Sequence, residues 1–350
     1  MNACLLHLLA RAAVAVAVAV AVAVTVTVVS AADAEPREKP LEALGPRGPL
    51  RGTLLSPAAP DTLGAPVVLI VPGSGPTDRD GNNPLGVKAS TYRLLAEGLA
   101  AKGIATVRID KRGLHGSAGA VADPDAVTIE DYADDVRRWF DTIREESGAG
   151  CVWVLGHSEG GLVALAAATA RQDPALCGVV LVASTGRPMG QVLREQLRAN
   201  PANALLLDQA MAAIDALEAG RRVEMADMQP PLRPVFHPKV QGFLISAFAI
   251  DPAKLAGRYT KPLLIVQGGR DLQVGVADAQ RLRQAAAQSK LVLLPEANHV
   301  LKAVETDDRA ANLATYGRSD LPLAPGVVDA IADFVLAPRL QQAPRTDETR

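Results

Sequence analysis

Short, fully apolar runs alternate along this chain with longer segments that are apolar on one face only. The runs are rich in β-branched residues, which is typical of strands buried on both faces of a sheet. The longer segments repeat their apolar positions with the period of a helix. The predicted strands are residues 50–55, at an edge of the sheet, and then 67–71, 105–110, 152–155, 178–183, 262–267 and 291–294. The predicted helices are residues 89–101, 128–146, 276–288 and 326–336.

Strands that alternate with helices predict an α/β fold with a doubly wound, mostly parallel sheet, in which functional groups lie at the carboxyl ends of the strands. The alternation stops between residues 187 and 258, where two helical patterns, at 191–197 and 204–219, occur and no strand run is evident. We predict that 187–258 is a helical cap that walls a pocket over this edge. The alternative is a helical subdomain with its own core and no contact with substrate. The α/β core is then predicted at residues 50–186 and 259–338.

The first 34 residues have the pattern of an export signal. Arg11 precedes an apolar run at 12–29, and small residues follow, with predicted cleavage after Ala32 or Ala34. The protein is therefore predicted to be periplasmic or secreted. The run is also long enough to span a membrane, so an uncleaved anchor through residues 12–29 is the alternative. The remaining flanking segments are predicted as a linker at residues 35–49 and a disordered tail at residues 339–350.

Beyond the predicted signal, two cysteines remain, Cys151 and Cys177, and each opens an apolar strand. We predict two buried thiols. A disulfide, which export would permit, is the open alternative.

Composition and motifs exclude several classes of function. The net charge of −2 provides no basic field for a phosphate backbone, and 3% aromatic residues provide little surface for stacking bases, so no nucleic-acid partner is predicted. The sequence contains no phosphate-binding loop, no Cys-x-x-Cys and no His-Glu-x-x-His. We therefore predict no cofactor and no metal.

The sequence Gly-His-Ser-Glu-Gly follows the predicted central strand and leads into an Ala/Leu-rich helix. Gly-x-Ser-x-Gly at such a junction is typical of a tight turn that exposes the serine hydroxyl at the start of a helix. Ser158 is therefore predicted to be a catalytic nucleophile, and His157, inside the turn, is predicted to pack rather than to act as its base.

A serine nucleophile needs a general base and an acid that orients the base. His299 follows the last predicted strand, and Asp271 follows the strand before it, so both are expected at the same edge of the sheet as Ser158. We predict His299 as general base and Asp271 as its orienting acid, in a chain order known from one of the convergent triads.

Two N–H donors are needed to stabilise the oxyanion that forms in acyl transfer. The backbone of Glu159, directly after the nucleophile, is one candidate. The glycine-rich loop after the strand at 67–71 supplies the other, for which we predict the N–H of Ser74.

Together these motifs resemble the α/β-hydrolase superfamily. The loop at residues 71–82, the turn at 156–161 and the sequence Asn-His-Val-Leu-Lys at 298–302 are similar to exported bacterial esterases grouped with serine aminopeptidase-like and acyl thioester hydrolase-like domains. The resemblance covers residues 50–338 and implies a Ser158–His299–Asp271 triad beneath a helical cap. Many relatives carry His-Gly in the oxyanion loop, whereas here Pro72 precedes Gly73.

We therefore expect a serine hydrolase that cleaves small acyl esters through an acyl-enzyme on Ser158. An aminopeptidase, amide hydrolase or thioester hydrolase could use the same triad. An aminopeptidase would need a carboxylate-lined recess for a free amino terminus, which Glu159 and Asp110 do not establish. A non-catalytic binding module on the same fold is a further alternative.

Overall fold

A computed structural model describes residues 35–58 and 64–340 of the chain. It contains an eight-stranded sheet in the order β1-β2-β4-β3-β5-β6-β7-β8. The strands are β1 (Arg37–Leu44), β2 (Pro49–Ser56), β3 (Val67–Val71), β4 (Ala105–Ile109), β5 (Val152–His157), β6 (Leu176–Val182), β7 (Leu263–Gly268) and β8 (Lys290–Leu294). β1 and β2 are antiparallel to their neighbours, and the remaining strands pair in parallel.

Helices cover both faces of the sheet. They are α1 (Thr91–Ala101), α2 (Ile129–Ser147), α3 (Glu159–Ala170), α4 (Met189–Ala199), α5 (Leu207–Glu218), α6 (Pro238–Phe248), α7 (Pro252–Arg258), α8 (Val276–Ala285), α9 (Arg309–Ala314) and α10 (Val327–Leu340). The central strands β3 and β5 are buried along their whole length, as their continuous apolar sequences require. The predicted fold class, a doubly wound and mostly parallel α/β sheet with a helical insertion, is confirmed.

The insertion at residues 187–258 contains α4 to α7 and short 3₁₀ turns. Its buried residues, such as Ile214 and Phe236, belong to the same apolar cluster as the residues of β3 and β5 that face this side of the sheet. The insertion therefore packs on the α/β core through a continuous apolar interior.

The prediction of a linker at residues 35–49 was wrong, because β1 occupies most of that segment and pairs with β2. The edge of the sheet, predicted at residues 50–55, is formed by β1 instead, and residues 50–55 lie in β2, the second strand. Only Leu41 and Ala43 of β1 are buried. With so few buried positions, the strand has almost no apolar pattern that a sequence could display.

The predicted signal or anchor at residues 1–34 lies outside the described residues. The first two residues of the predicted tail at 339–350 form the end of α10. The remaining residues of that tail, 341–350, lie outside the described residues as well. Within the part of the chain that the structure describes, no helix is both long and apolar enough to cross a membrane.

Cys151 and Cys177 form a disulfide, with their Cα atoms 5.2 Å apart. The preferred prediction of two free thiols was therefore wrong. Cys151 directly precedes β5 and Cys177 lies at the start of β6, and these two strands are parallel neighbours in the sheet. Adjacent strands bring two such positions within the Cα separation that a disulfide spans.

Candidate active site

Ser158 lies in a tight turn between the end of β5 and the start of α3. Its φ of 55° is in the left-handed region, which is rare for a residue with a side chain. The flanking glycines are needed for space, because a Cβ on Gly156 would overlap the Gly160 carbonyl and a Cβ on Gly160 would overlap the carbonyl of Val71. The turn holds the Ser158 side chain at the carboxyl edge of the sheet, at the N-terminus of a helix.

His299 and Asp271 form a buried pair in the loops after β8 and β7. The distance from His299 Nδ1 to Asp271 Oδ2 is 2.8 Å. The other carboxylate oxygen of Asp271 accepts hydrogen bonds from the backbone N–H groups of Gln273 and Val274. Burial raises the pKa of Asp271, but His299 and these hydrogen bonds outweigh it and hold the pKa below its ordinary value. An ionised Asp271 fixes the hydrogen of His299 on Nδ1 and leaves Nε2 as an acceptor.

Ser158 and His299 line the same small cavity. Among the residues described, no hydrogen bond joins the Ser158 hydroxyl to His299 or to any other group. The structure thus brings His299 and Asp271 into direct contact, and it places Ser158 in the same cavity as His299 without a hydrogen bond. Catalytic hydrogen bonds of this kind are often long without substrate and tighten when substrate binds.

The predicted oxyanion loop passes close to Ser158. A Cβ added to Gly73 would lie 3.2 Å from Ser158 Cβ. The Gly73 N–H donates to the Tyr92 hydroxyl, whereas the N–H of Ser74 donates to no other group in the described part of the chain. The Glu159 N–H begins α3, where helix geometry leaves an N–H without a partner inside the helix. Ser74 and Glu159 both line a cavity with Ser158.

Lys111 hydrogen-bonds both segments that carry a candidate N–H donor, one at Gly73 and Ser74 and the other at Glu159. Its ammonium group donates to the Gly73 carbonyl at 2.8 Å and to the Glu159 carboxylate at 3.1 Å. Both side chains are almost fully buried. In a planar trans peptide the C=O and the following N–H point in opposite directions, so the hydrogen bond to Gly73 fixes the direction of the Ser74 N–H.

His157 joins the predicted oxyanion loop to the loop that carries His299. Its Nε2 lies 2.8 Å from the His299 carbonyl oxygen, which can only accept, so Nε2 carries the hydrogen. Its Nδ1 then accepts from the Tyr92 hydroxyl at 3.0 Å, and that hydroxyl accepts from the Gly73 N–H at 2.9 Å. Burial, with a smaller contribution from the charge of His299, lowers the pKa of His157 to about 3. The ring is therefore neutral and buried, as its predicted packing role requires, and it also connects two loops.

Two cavities meet at Ser158. The larger, of about 580 Å³, lies between the core and the helices α4 and α6. The smaller, of about 110 Å³, is lined by His299 and by polar residues of the loops that surround it.

Two further described histidines and Asp110 make no hydrogen bond to Ser158, Asp271 or His299. His115 and His237 are exposed, and Asp110 pairs with Arg79. No cluster of side chains suited to a metal ion occurs among residues 35–58 and 64–340. Sequence reasoning did not identify Tyr92, Lys111, Gln273 or Tyr316. The position of Lys111, two residues after β4 at the carboxyl edge of the sheet, is the one signal that could have found it.

Comparison with known proteins agrees with this architecture. A family model described as serine aminopeptidase, S33, matches residues 85–307. Esterase EstD from Thermotoga maritima is 28% identical over 278 residues, which make up 77% of this chain and 62% of that protein. The chain thus spans less than two thirds of the length of this relative.

Two solved structures share the fold. Est1E from Butyrivibrio proteoclasticus has a TM-score of 0.52 at 16% identity, with 87% of this chain and 98% of that chain covered. A puromycin-hydrolyzing peptidase from Mycobacterium tuberculosis has a TM-score of 0.50 at 18% identity, with 88% of this chain and 40% of that chain covered. At these identities the likeness concerns the fold alone.

Proposed function

Because the chain belongs to the serine aminopeptidase S33 family of α/β-hydrolases, we propose that it is a serine hydrolase that cleaves carboxylic esters through an acyl-enzyme on Ser158. The observation that carries the proposal is the buried His299–Asp271 pair, which lines the same cavity as a serine held in a left-handed turn at a helix N-terminus. The similarity to an esterase of Thermotoga maritima supports an ester substrate.

In the proposed reaction, Ser158 Oγ attacks the acyl carbon while His299 Nε2 takes the hydroxyl proton. The tetrahedral intermediate then expels the alcohol oxygen, which receives that proton from His299. Water attacks the acyl-enzyme in the same way, and the acid leaves as the proton returns to Ser158 Oγ. Asp271 keeps the proton of His299 on Nδ1 and stabilises the imidazolium that forms in each half-reaction.

The N–H groups of Glu159 and Ser74 are the proposed donors to the oxyanion. Lys111 hydrogen-bonds the Gly73 carbonyl, which belongs to the same peptide as the Ser74 N–H, and the side-chain carboxylate of Glu159. Donors fixed in this way need little reorganisation when the negative charge develops. The reaction requires no cofactor.

The charges around Ser158 favour an ester over the free amino terminus that an aminopeptidase binds. The Glu159 carboxylate is paired with Lys111, and Asp110 is paired with Arg79. Asp125, a third carboxylate near the cavity, lies 3.5 Å from the ammonium of Lys239. A substrate ammonium would therefore have to compete with a cation that the protein already supplies.

Amide and thioester hydrolysis on the same triad are the rival functions within this family, and a non-catalytic binding role is the rival outside it. Aminoacyl anilides, acyl thioesters and acyl esters compared at equal concentration separate the enzymatic candidates. Export is proposed with the function, and the disulfide between Cys151 and Cys177 supports an oxidising compartment.

The central test is Ser158→Ala assayed on simple alkyl esters. We expect kcat/KM to fall by about a thousandfold or more, because the variant has no nucleophile. Ser319→Ala is the matched control, since that serine is exposed and lines neither cavity at Ser158. Undiminished ester hydrolysis by Ser158→Ala would refute the proposed function.

A further inference from the structure

The two cavities that meet at Ser158 differ in size and in the chemistry of their walls. The larger measures about 580 Å³ and the smaller about 110 Å³. The first is within the usual range for a site that encloses a small molecule, and the second has space for roughly four water-sized groups. An ester consists of an acyl half and an alcohol half, and each cavity can receive one of them.

The position of His299 determines which half of the ester faces each cavity. In the proposed reaction, it must give a proton to the oxygen of the departing alcohol, so the alcohol has to leave on the side of the imidazole. His299 lines the smaller cavity and is absent from the walls of the larger one. The alcohol half therefore faces the smaller cavity, and the acyl half extends into the larger cavity beneath the cap.

The walls of the larger cavity suit an uncharged apolar chain. The cap contributes apolar side chains from α4 and α6, among them Val192, Leu193, Phe243 and Leu244. The charged residues that line it within the described part of the chain are two pairs, Lys111 with Glu159 and Asp125 with Lys239. Because these charges are paired, the cavity contains no counter-ion for a charged acyl group.

The walls of the smaller cavity suit a short polar group. Tyr316 accepts a hydrogen bond from Gln273 through its hydroxyl oxygen, so the hydroxyl hydrogen can be donated to a ligand. Asn83 and Thr77 add an amide and a second hydroxyl to the wall. Thr77 donates to the Ser74 carbonyl and accepts from the Asn83 amide at 3.5 Å, which leaves one lone pair of its oxygen as an acceptor. These groups can hydrogen-bond a small alcohol or its further hydroxyl.

We propose that the substrate is an ester whose larger, uncharged and apolar half is the acyl group and whose alcohol half is small and polar, such as methanol, ethanol or ethylene glycol. This inference rests on the proposed ester hydrolysis. The acyl half is selected by the cap, and the alcohol half is selected by the loop residues around Tyr316.

Ethyl octanoate and octyl acetate test the proposal directly, because they are constitutional isomers that differ in which half is long. Rates are measured by pH-stat with purified protein, which avoids an artificial leaving group. We expect kcat/KM for ethyl octanoate to exceed that for octyl acetate by about tenfold or more, given the discrimination that apolar pockets achieve between chains of different length.

A variant that fills the larger cavity adds a second readout. Leu193→Trp should lower kcat/KM for ethyl octanoate by about tenfold while changing that for ethyl acetate little, because a bulky side chain excludes only the longer acyl group. Leu205→Trp is the matched control, since Leu205 also belongs to the cap but is 91% exposed and lines neither cavity. It should behave as the unmodified protein on both esters.

Labelling of Ser158 by a fluorophosphonate probe distinguishes failure of this inference from failure of the proposed function. If the probe labels Ser158 and octyl acetate is preferred, or both isomers react equally, or neither reacts, the assignment of the two halves is wrong while a reactive serine remains. An equal loss on ethyl acetate and ethyl octanoate in Leu193→Trp would also overturn it. Failure of the probe to label the folded protein would remove the proposed function and this inference together.

Discussion

The Tyr92 hydroxyl takes part in two hydrogen bonds that link separate loops at the site. It accepts from Gly73 in the proposed oxyanion loop and donates to His157, which in turn donates to the backbone of His299. A single oxygen atom therefore connects the segment that is proposed to bind the oxyanion with the segment that carries the proposed base. Tyr92 is a positioning residue in this scheme.

We predict that Tyr92→Phe lowers kcat on alkyl esters by about fivefold, the equivalent of one hydrogen bond of ordinary strength, with a smaller change in KM. The reason is that the Gly73 N–H and His157 both lose a partner while the ring remains to fill the space. Steady-state kinetics on ethyl esters measure the effect.

Tyr259→Phe is the control for that substitution. The Tyr259 hydroxyl is buried and has no hydrogen-bond partner among the described residues, so its loss should leave kcat unchanged. A similar fall in kcat in both variants would show that the loss of a buried tyrosine hydroxyl, and not the link between the loops, accounts for the effect.

Single residues also mark the limit of sequence-based prediction at this site. Ser158, His299 and Asp271 could be proposed because a strand precedes each of them and because their side chains are the types that acyl transfer needs. Lys111 also follows a strand, but its role and that of Tyr92 depend on contacts with Gly73, which is distant in the sequence, and a lysine or a tyrosine is too common a residue to indicate such contacts.

At the scale of elements, the disulfide joins β5 and β6 at their amino ends, whereas Ser158 follows the carboxyl end of β5. The two cysteines are separated by 26 positions in the sequence, and the segment between them contains α3 and the turn at Ser158. Closing a loop of this length is expected to stabilise the fold by about 3.5 kcal/mol through the unfolded state.

We predict that a reducing agent lowers the free energy of unfolding by about that amount, measured by urea denaturation, while ester hydrolysis by the folded protein is retained. The double variant Cys151→Ser/Cys177→Ser should match the reduced protein and should not respond to the reducing agent. Equal stability of the oxidised and reduced forms would contradict the prediction.

The elements that sequence patterns predicted are those with a strong apolar repeat. β3 was predicted with its observed limits, since all of its positions are buried. α6 and α7 were not predicted individually, although each begins with a proline at its first position after a capping residue, His237 or Asp251. Proline is favoured at that position, but a proline-rich stretch is also typical of a turn, and the local sequence does not distinguish the two.

At the scale of the whole molecule, the neutral His157 couples folding to pH. The fold lowers its pKa from 6.5 to about 3, chiefly by burial. The unfolded chain therefore binds a proton below pH 6.5 that the folded chain does not bind until about pH 3. The free energy of unfolding therefore keeps its full value with respect to His157 above pH 6.5, and it decreases as the pH falls from 6.5 towards 3.

We predict that the free energy of unfolding depends less steeply on pH in His157→Gln than in the unmodified protein between pH 6.5 and 4, by about 1.4 kcal/mol per pH unit. Glutamine can accept from Tyr92 and donate to the His299 carbonyl, but it does not titrate. Urea denaturation at several pH values measures the slope. His237→Gln, which replaces an exposed histidine, should keep the original slope, and parallel curves for His157→Gln and the unmodified protein would contradict the prediction.

The bridge that Lys111 forms between Gly73 and Glu159 has a consequence for directed evolution of the proposed activity. Replacing either member of the buried pair alone leaves an uncompensated charge beside the reacting carbonyl, so a library that varies one position should return few active clones. Productive diversity at this site therefore requires codons 111 and 159 to be randomised together. The two positions are therefore expected to change together, although they are distant in the sequence.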